Sequence, residues 1–326
     1  MDGATQKSVF ITGASSGIGR ASVDFLANAG WQVFAAVRKA EDARKLESEF
    51  GRNVTAVIMD VTDRNSIREA AAQVSLQLSG RGLHGLVNVA GIGMVRPVEY
   101  AGTDDLQKIF DINVFGQIAV TQAFLPMVRQ ARGRIVNITS IGVNIALPFG
   151  GLLNASKSAF AKISDTLRLE LRPFGVRVIA IEPGAIKTPA VEKTLGDMES
   201  VIANLPAEGA TQYGEMMTTF ARRGYQQEMS GSPPEVVADA VLHALTSPRP
   251  RIRYRVGKHA KVLSILPKVL PDSALDAFVL RLAGMPTKLG ALSEEQQVTG
   301  CRLPVAGRRR VERQQLHRTA FATRKP

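Results

Sequence analysis

The sequence predicts an α/β protein built on a doubly wound parallel sheet of Rossmann type, with a single main domain, a helical lid insertion and a C-terminal extension. Three observations predict it. Through roughly the first 190 residues, short Val- and Ile-rich runs alternate with amphipathic stretches of helix length. The runs are mostly apolar without strict alternation, the mark of strands covered on both faces, as parallel sheets are. A glycine-rich turn, "TGASSGIG" at 12–19, follows the first run and opens the first amphipathic stretch.

Taken in order, the first strand is expected at 9–12 and the first helix at 17–29. Strands follow at 32–37 and 54–59, then a helix at 66–78. A strand at 85–89 leads to a long helix over 106–129. A strand at 134–138, a helix over 154–172 and a strand at 177–181 complete the alternation, with right-handed crossovers throughout. A seventh strand is expected at 252–256, in "RIRYRVG". Residues 188–232 break the rhythm with polar, Met-containing sequence and helical pieces at 192–205 and 214–225. An insertion just past the C-terminal end of a strand sits where such sheets bind ligands, so it reads as a substrate lid. "SPPEVVADAVLHALTSP" reads as a helix with Pro234 in its first turn and Pro248 just past its end. The resulting organisation is a dinucleotide-binding, catalytic-type domain at 1–258 containing the lid. An apolar helical extension follows at 259–290, broken by Pro267 and Pro271, and a basic tail expected to be disordered at 291–326.

Composition narrows the function classes. One cysteine, Cys301, rules out an intrachain disulfide and a cysteine-based metal site, and the four histidines lack ligand spacing, so no metal is expected. An apparent strand starts at Ser8, so no signal peptide is expected, and with no run of about 18 apolar residues a cytoplasmic protein is expected. Packing on the body is the favoured role of the apolar stretch 262–285, ahead of subunit pairing or membrane contact. The net charge of +12 divides into +5 over 291–326, with 8 Lys/Arg against 3 Asp/Glu, and +7 over the rest. No nucleic-acid motif or stacking-aromatic pattern accompanies that charge, so no nucleic-acid partner is expected.

The glycine turn supplies the first candidate site. Gly13, Gly17 and Gly19 let the backbone turn tightly and approach a pyrophosphate, and the helix N-terminus offers unpaired N–H donors. Ser15, Ser16 and Ile18 complete the candidate pyrophosphate loop. The end of the second strand chooses the dinucleotide. NAD sites of this class place an acid there to hold the ribose 2′-hydroxyl. Here the strand ends "VFAAVRK", with Arg38 and no acid. A guanidinium grips a 2′-phosphate bidentately, so NADP(H) is expected ahead of NAD.

"TGASSGIG", "DV" (60–61), "NVAG" (88–91), "NV" (113–114), "NITS" (137–140), "NASK" (154–157) and "PGAIKT" (183–188) then occur in order. The set resembles the short-chain dehydrogenase/reductase family over about residues 7–258, with one departure where "NVAG" replaces the usual "NNAG". The resemblance implies that Asp60 and Val61 contact the adenine, that Asn88, Ala90 and Gly91 line the cofactor cleft, and that Pro183, Gly184, Ile186 and Thr188 face the nicotinamide. It implies three catalytic residues. Ser140 hydrogen-bonds the substrate oxygen, Lys157 holds the nicotinamide ribose, and Asn113 positions a water linked to that lysine. It also implies a small-molecule carbonyl or alcohol as substrate and a homo-oligomer assembled through the long helices. The family's fourth catalytic residue is a tyrosine four positions before the lysine, and Leu153 stands there. Leucine has no proton to move, and loss of a general acid typically costs about 10²–10⁴-fold in rate. Two readings stay open: an NADP-dependent oxidoreductase, with a lipophilic substrate suited to the lid and the extension, or an NADP(H)-binding pseudoenzyme that senses or scaffolds.

Overall fold

The computed structural model describes residues 6–288. The expectations for the basic tail and for Cys301 fall outside them. Seven strands form one parallel sheet: β1 (Ser8–Ile11), β2 (Gln32–Val37), β3 (Val54–Ile58), β4 (Gly85–Asn88), β5 (Arg134–Ile138), β6 (Arg177–Pro183) and β7 (Arg253–Val256), in the order β3-β2-β1-β4-β5-β6-β7. The strand order reverses about β1, so a crevice opens between the C-terminal ends of β1 and β4.

Helices cover both faces. On one lie α1 (Gly17–Asn28), α2 (Ala40–Phe50) and, from later in the chain, the helix Glu235–Thr246; on the other lie α3 (Arg64–Leu78) and the long helices after β4 and β5. Alternate strand residues feed two apolar cores. Val9, Ile11, Val33 and Ala35 point to the first, and Phe10, Phe34 and Ala36 to the second. Because both faces are buried, neither set is polar, which is why the runs in the sequence show no alternation.

The helix expected at 106–129 is in fact three pieces: α4 (Thr103–Phe110), a π-helical turn (Asp111–Gly116) and α5 (Gln117–Gln130). At Gly116 the chain passes so close to β3's exit that a Cβ would lie 2.6 Å from the Val61 carbonyl. The wider π turn carries the chain through this contact, and Asn113 sits inside it. The helix expected from 154 begins earlier, as α6 (Gly151–Glu170).

After β6 the chain forms α7 (Pro189–Leu195), α8 (Met198–Ala203) and α9 (Ala207–Met229). The single helix expected at 192–205 is divided at Gly196–Asp197, where the Asp197 carboxylate accepts from the Ser200 N–H and starts α8. The piece expected at 214–225 is the middle of the longer α9. These helices close a third apolar cluster over the loops after β4 and β5. Val95 and Phe149 meet Met198, Leu205 and Met217 there, with Tyr213 and Phe220 edge-on to Phe149 at 6.1 and 5.6 Å. The chain continues as α10 (Glu235–Thr246), β7, α11 (Ala260–Val269) and α12 (Asp272–Ala283). The break expected at Pro267 does not occur, because that proline falls in the last turn of α11; the break comes at Pro271. Among the described residues, no helix is long and apolar enough to cross a membrane.

Candidate active site and cofactor cleft

Gly13 leaves β1 with φ +65°, and a Cβ there would sit 3.0 Å from the Ala90 backbone, so the turn and the loop after β4 meet at van der Waals contact. A side chain at Gly19 would collide with the Gly13 carbonyl, so only glycine lets α1 start so close beneath the turn. Ser16 caps α1 in an extended conformation without a side-chain bond to the helix, leaving the first-turn amides to an anion. Thr188, at the start of α7, packs against this turn, with its Cβ 3.2 Å from where a Gly17 Cβ would be.

The loop 88–92 is held from three directions. Thr12 Oγ1 accepts from the Val89 and Ala90 N–H groups at 2.9 and 3.0 Å. Gln117 Nε2 donates to the Ala90 carbonyl at 2.6 Å. Asn113 clamps Ile92 twice: its Oδ1 accepts from Ile92 N at 2.8 Å, and its Nδ2 donates to Ile92 O at 3.0 Å and to Ser156 Oγ at 3.1 Å. Asn88 faces the interior, donating to Thr121 and to Asn137 at 3.0 and 2.8 Å, with its Oδ1 buried and unbonded.

Lys157 reaches across from α6 and donates to the Ile138 carbonyl at the end of β5, at 3.1 Å. A Cβ at Gly91 would lie 3.1 Å from Asn113 Oδ1 and 3.3 Å from Lys157 Nζ, so Gly91, Asn113 and Lys157 converge. Burial lowers the lysine pKa from 10.5 to about 8. Ser140, two residues beyond Ile138, accepts from the Gly142 N–H at 3.0 Å and keeps its own proton to donate. Asn144 ties the serine's turn to buried Glu182, at 3.2 Å. Glu182 is paired with Arg253 and Arg255, and Arg253 also binds Asp165 on α6 at 2.9 Å. One ionic cluster thereby anchors the serine turn, the lysine helix and the start of the 183–188 loop.

At the far end of the crevice, Arg38 is exposed at the end of β2. Burial raises the Asp60 pKa, but the Thr62 N–H and hydroxyl and the nearby Arg38 charge outweigh it, and the net shift is downward. Arg38 therefore lies within electrostatic reach of Asp60, and the two frame one end of the cleft. Val61 is buried in the second core. Pro183 and Ile186 are buried as well, and Gly184 packs against Lys258 and Ala260. Among the described residues, no three His, Cys, Asp or Glu side chains gather as a metal site.

Leu153 is half-buried one turn before Lys157, and its carbonyl accepts from Ser156 Oγ at 2.8 Å. All four tyrosines are engaged elsewhere. Tyr213 donates to Glu99 at 2.8 Å, Tyr100 to Gln212 at 3.2 Å, Tyr225 bonds Glu192, and Tyr254 pairs with His243 at 2.8 Å. Burial and the Glu99 carboxylate push Tyr213 up to about 12, the wrong direction for a proton donor near neutrality. Thr12, Gln117, Ser156, Glu182 and Glu228, the last bonded to the 183–188 loop, escaped the sequence reading. Thr12 and Ser156 had a signal, their places inside the "TGASSGIG" and "NASK" motifs.

A family model described as short chain dehydrogenase matches residues 7–199. The chain belongs to the short-chain dehydrogenase family. Members of this family are hydride-transferring oxidoreductases. The chain is 35% identical to mouse retinol dehydrogenase 5 over 86% of its own length and 90% of the relative's. It is 36% identical to rat 17-beta-hydroxysteroid dehydrogenase type 6 over 84% and 87%. Among solved structures, a short chain dehydrogenase from Burkholderia cenocepacia in complex with NADP aligns with TM-score 0.64 and 26% identity, over 84% of this chain and 98% of that one. The nicotinamide dinucleotide of the family fits the donor set present here. The open amides of α1, the side-chain-free approach at Gly13 and the Lys157 ammonium at Gly91 suit a pyrophosphate and a ribose.

Proposed function

We propose that the crevice binds NADP(H) and that the chain exchanges hydride between it and the carbonyl or secondary alcohol of a lipophilic small molecule. The convergence of Gly91, Asn113 and Lys157 beside the glycine turn carries this reading. The α1 amides hold the pyrophosphate and Arg38 the 2′-phosphate. Lys157 donates to the ribose hydroxyls, and Asn113, by clamping Ile92, keeps Gly91 open to them. Ser140 donates its proton to the substrate oxygen in a hydrogen bond, orienting it. The bound dinucleotide supplies or takes up the hydride. The apolar cluster beneath α8 and α9, acting as a lid, supports a lipophilic substrate, as do the retinol and hydroxysteroid in the names of the relatives.

With Leu153 in place of a tyrosine, no side chain at the site delivers the proton, and turnover rests on proximity and orientation. A second reading follows from that leucine and from the engagement of every tyrosine elsewhere: a dinucleotide-binding protein that senses or scaffolds without turnover. NADPH binding and ketone reduction, measured on the chain and on Leu153→Tyr, separate the two. Turnover in both proteins, raised about 10²–10⁴-fold by the tyrosine, supports the oxidoreductase. Binding in both with turnover confined to the variant supports the sensor. Absence of NADPH binding would sink both.

A further inference from the structure

Glu228 ends the lid helix α9 and turns its carboxylate into the body, where Oε2 accepts from the Ile186 N–H at 3.1 Å. The rest of this loop is stitched by backbone alone. Ala185 N donates to Lys258 O at 3.2 Å, Ser232 N to Ala185 O at 3.0 Å, and Lys187 N to Ser232 O at 3.0 Å. Ile186 belongs to the first apolar core, its side chain lying against Gly257, and Thr188 closes on the glycine turn. Glu228 therefore bonds directly to the loop that the family resemblance turns toward the nicotinamide.

The carboxylate has no counter-ion. The ion pairs among the described residues use Glu49, Asp105, Asp165 and Glu182, and none uses Glu228. The charged groups on surrounding elements are exposed or bound to others. Lys187 and His259 are exposed, and Lys258 donates to Ser230. Arg255 is held by Glu182, Glu192 bonds Tyr225, and Arg223 donates to the Arg281 carbonyl. A neutral side chain would satisfy the Ile186 amide without the cost of an unpaired charge, and such costs cluster at functional sites. Burial pushes the Glu228 pKa from 4.5 up to about 7, while the Ile186 N–H opposes the shift.

We infer that Glu228 is a specificity-determining residue for the oxidation state of the nucleotide, its ionised carboxylate favouring the positively charged, oxidised nicotinamide over the neutral, reduced one. This rests on the proposed NADP(H) reading. An ionised carboxylate behind that loop acts on the ring through the reduced effective dielectric of a protein site and discriminates between the two forms by about tenfold. When Glu228 takes up a proton, that discrimination is lost.

The test is the ratio of dissociation constants, NADPH over NADP⁺, for the full chain between pH 6 and pH 8. The 2′-phosphate titrates in both nucleotides and cancels in the ratio. The expected result is a rise of about tenfold through pH 7 in the natural protein. Glu228→Gln keeps an oxygen for the Ile186 amide and is expected to show no such rise. Lys157 is present in both proteins, so its own titration does not distinguish them. A flat ratio in the natural protein, or an equal rise in both proteins, would overturn the inference while leaving the cofactor reading intact. Should the variant not fold, calorimetry of the natural protein in two buffers decides: near pH 7, NADP⁺ must release more protons than NADPH. Equal release overturns the inference. Failure to bind either nucleotide overturns it together with the cofactor reading.

Discussion

Arg38 and Leu153 carry opposite lessons at the scale of the residue. Arg38 is exposed at the end of β2, yet it acts on Asp60 through space, and in the proposed reading its guanidinium holds the 2′-phosphate. A charge-assisted bond of this kind is worth about 1.5–3 kcal/mol when sheltered, and less in water. Arg38→Ala is therefore expected to weaken NADPH about tenfold and to change NADH affinity by less than about twofold. Titration with both nucleotides checks this, and an equal loss for both would mean that the arginine serves the surface alone. Leu153 presents the same backbone position that a tyrosine would, so Leu153→Tyr should leave the dinucleotide constants unchanged while turnover rises. Both residues were legible in the sequence because strand ends and motif spacing place them. Glu228 was not, because it lies 42 residues along the chain from the Ile186 amide it meets and no motif marks it.

The informative departures at the scale of the element are the π turn at Asp111–Gly116 and the division of the first lid helix. A 3.6-residue pattern continues through both, so periodicity reads each as one helix. What interrupts them is tertiary: the Val61 carbonyl against Gly116 in one, the Asp197 cap in the other. The strands were legible to within a residue or two because their Val and Ile runs end where the sheet ends. α2 is mostly charged, with Leu46 its one buried residue, and gave little apolar pattern to read. The π turn also gives Asn113 its reach to both polar groups of Ile92. Asn113→Ala would leave that N–H and carbonyl without their partner in a half-buried loop, at the lower end of about 1–3 kcal/mol for each group. A loss of about 2–4 kcal/mol in denaturant-measured stability is expected, with weakened NADPH binding as Gly91 is released. Full stability in the variant would show that the clamp is idle.

For the whole molecule, two groups whose ionised forms the fold disfavours set how its stability depends on pH. Glu228 has a folded pKa of about 7 against 4.5 for the free group, so its stabilising contribution is full below 4.5 and is lost as pH rises through 7. Lys157 has a folded pKa of about 8 against 10.5, so its contribution is full above 10.5 and is lost as pH falls through 8. Both penalties act together between pH 7 and pH 8, each on the order of 2–3 kcal/mol. Thermal unfolding of the nucleotide-free chain should therefore carry a trough between those values, seen most cleanly as a difference from the variants. Glu228→Gln should flatten the acid limb alone. Lys157→Met should flatten the alkaline limb and raise the midpoint near neutrality while weakening NADPH, two opposite effects that a purely structural lysine would not produce. Saturating NADPH gives the ammonium new acceptors in the ribose hydroxyls, which raises its pKa, so the alkaline limb should move to higher pH. An alkaline limb that stays put in the complex would mean that Lys157 does not touch the nucleotide.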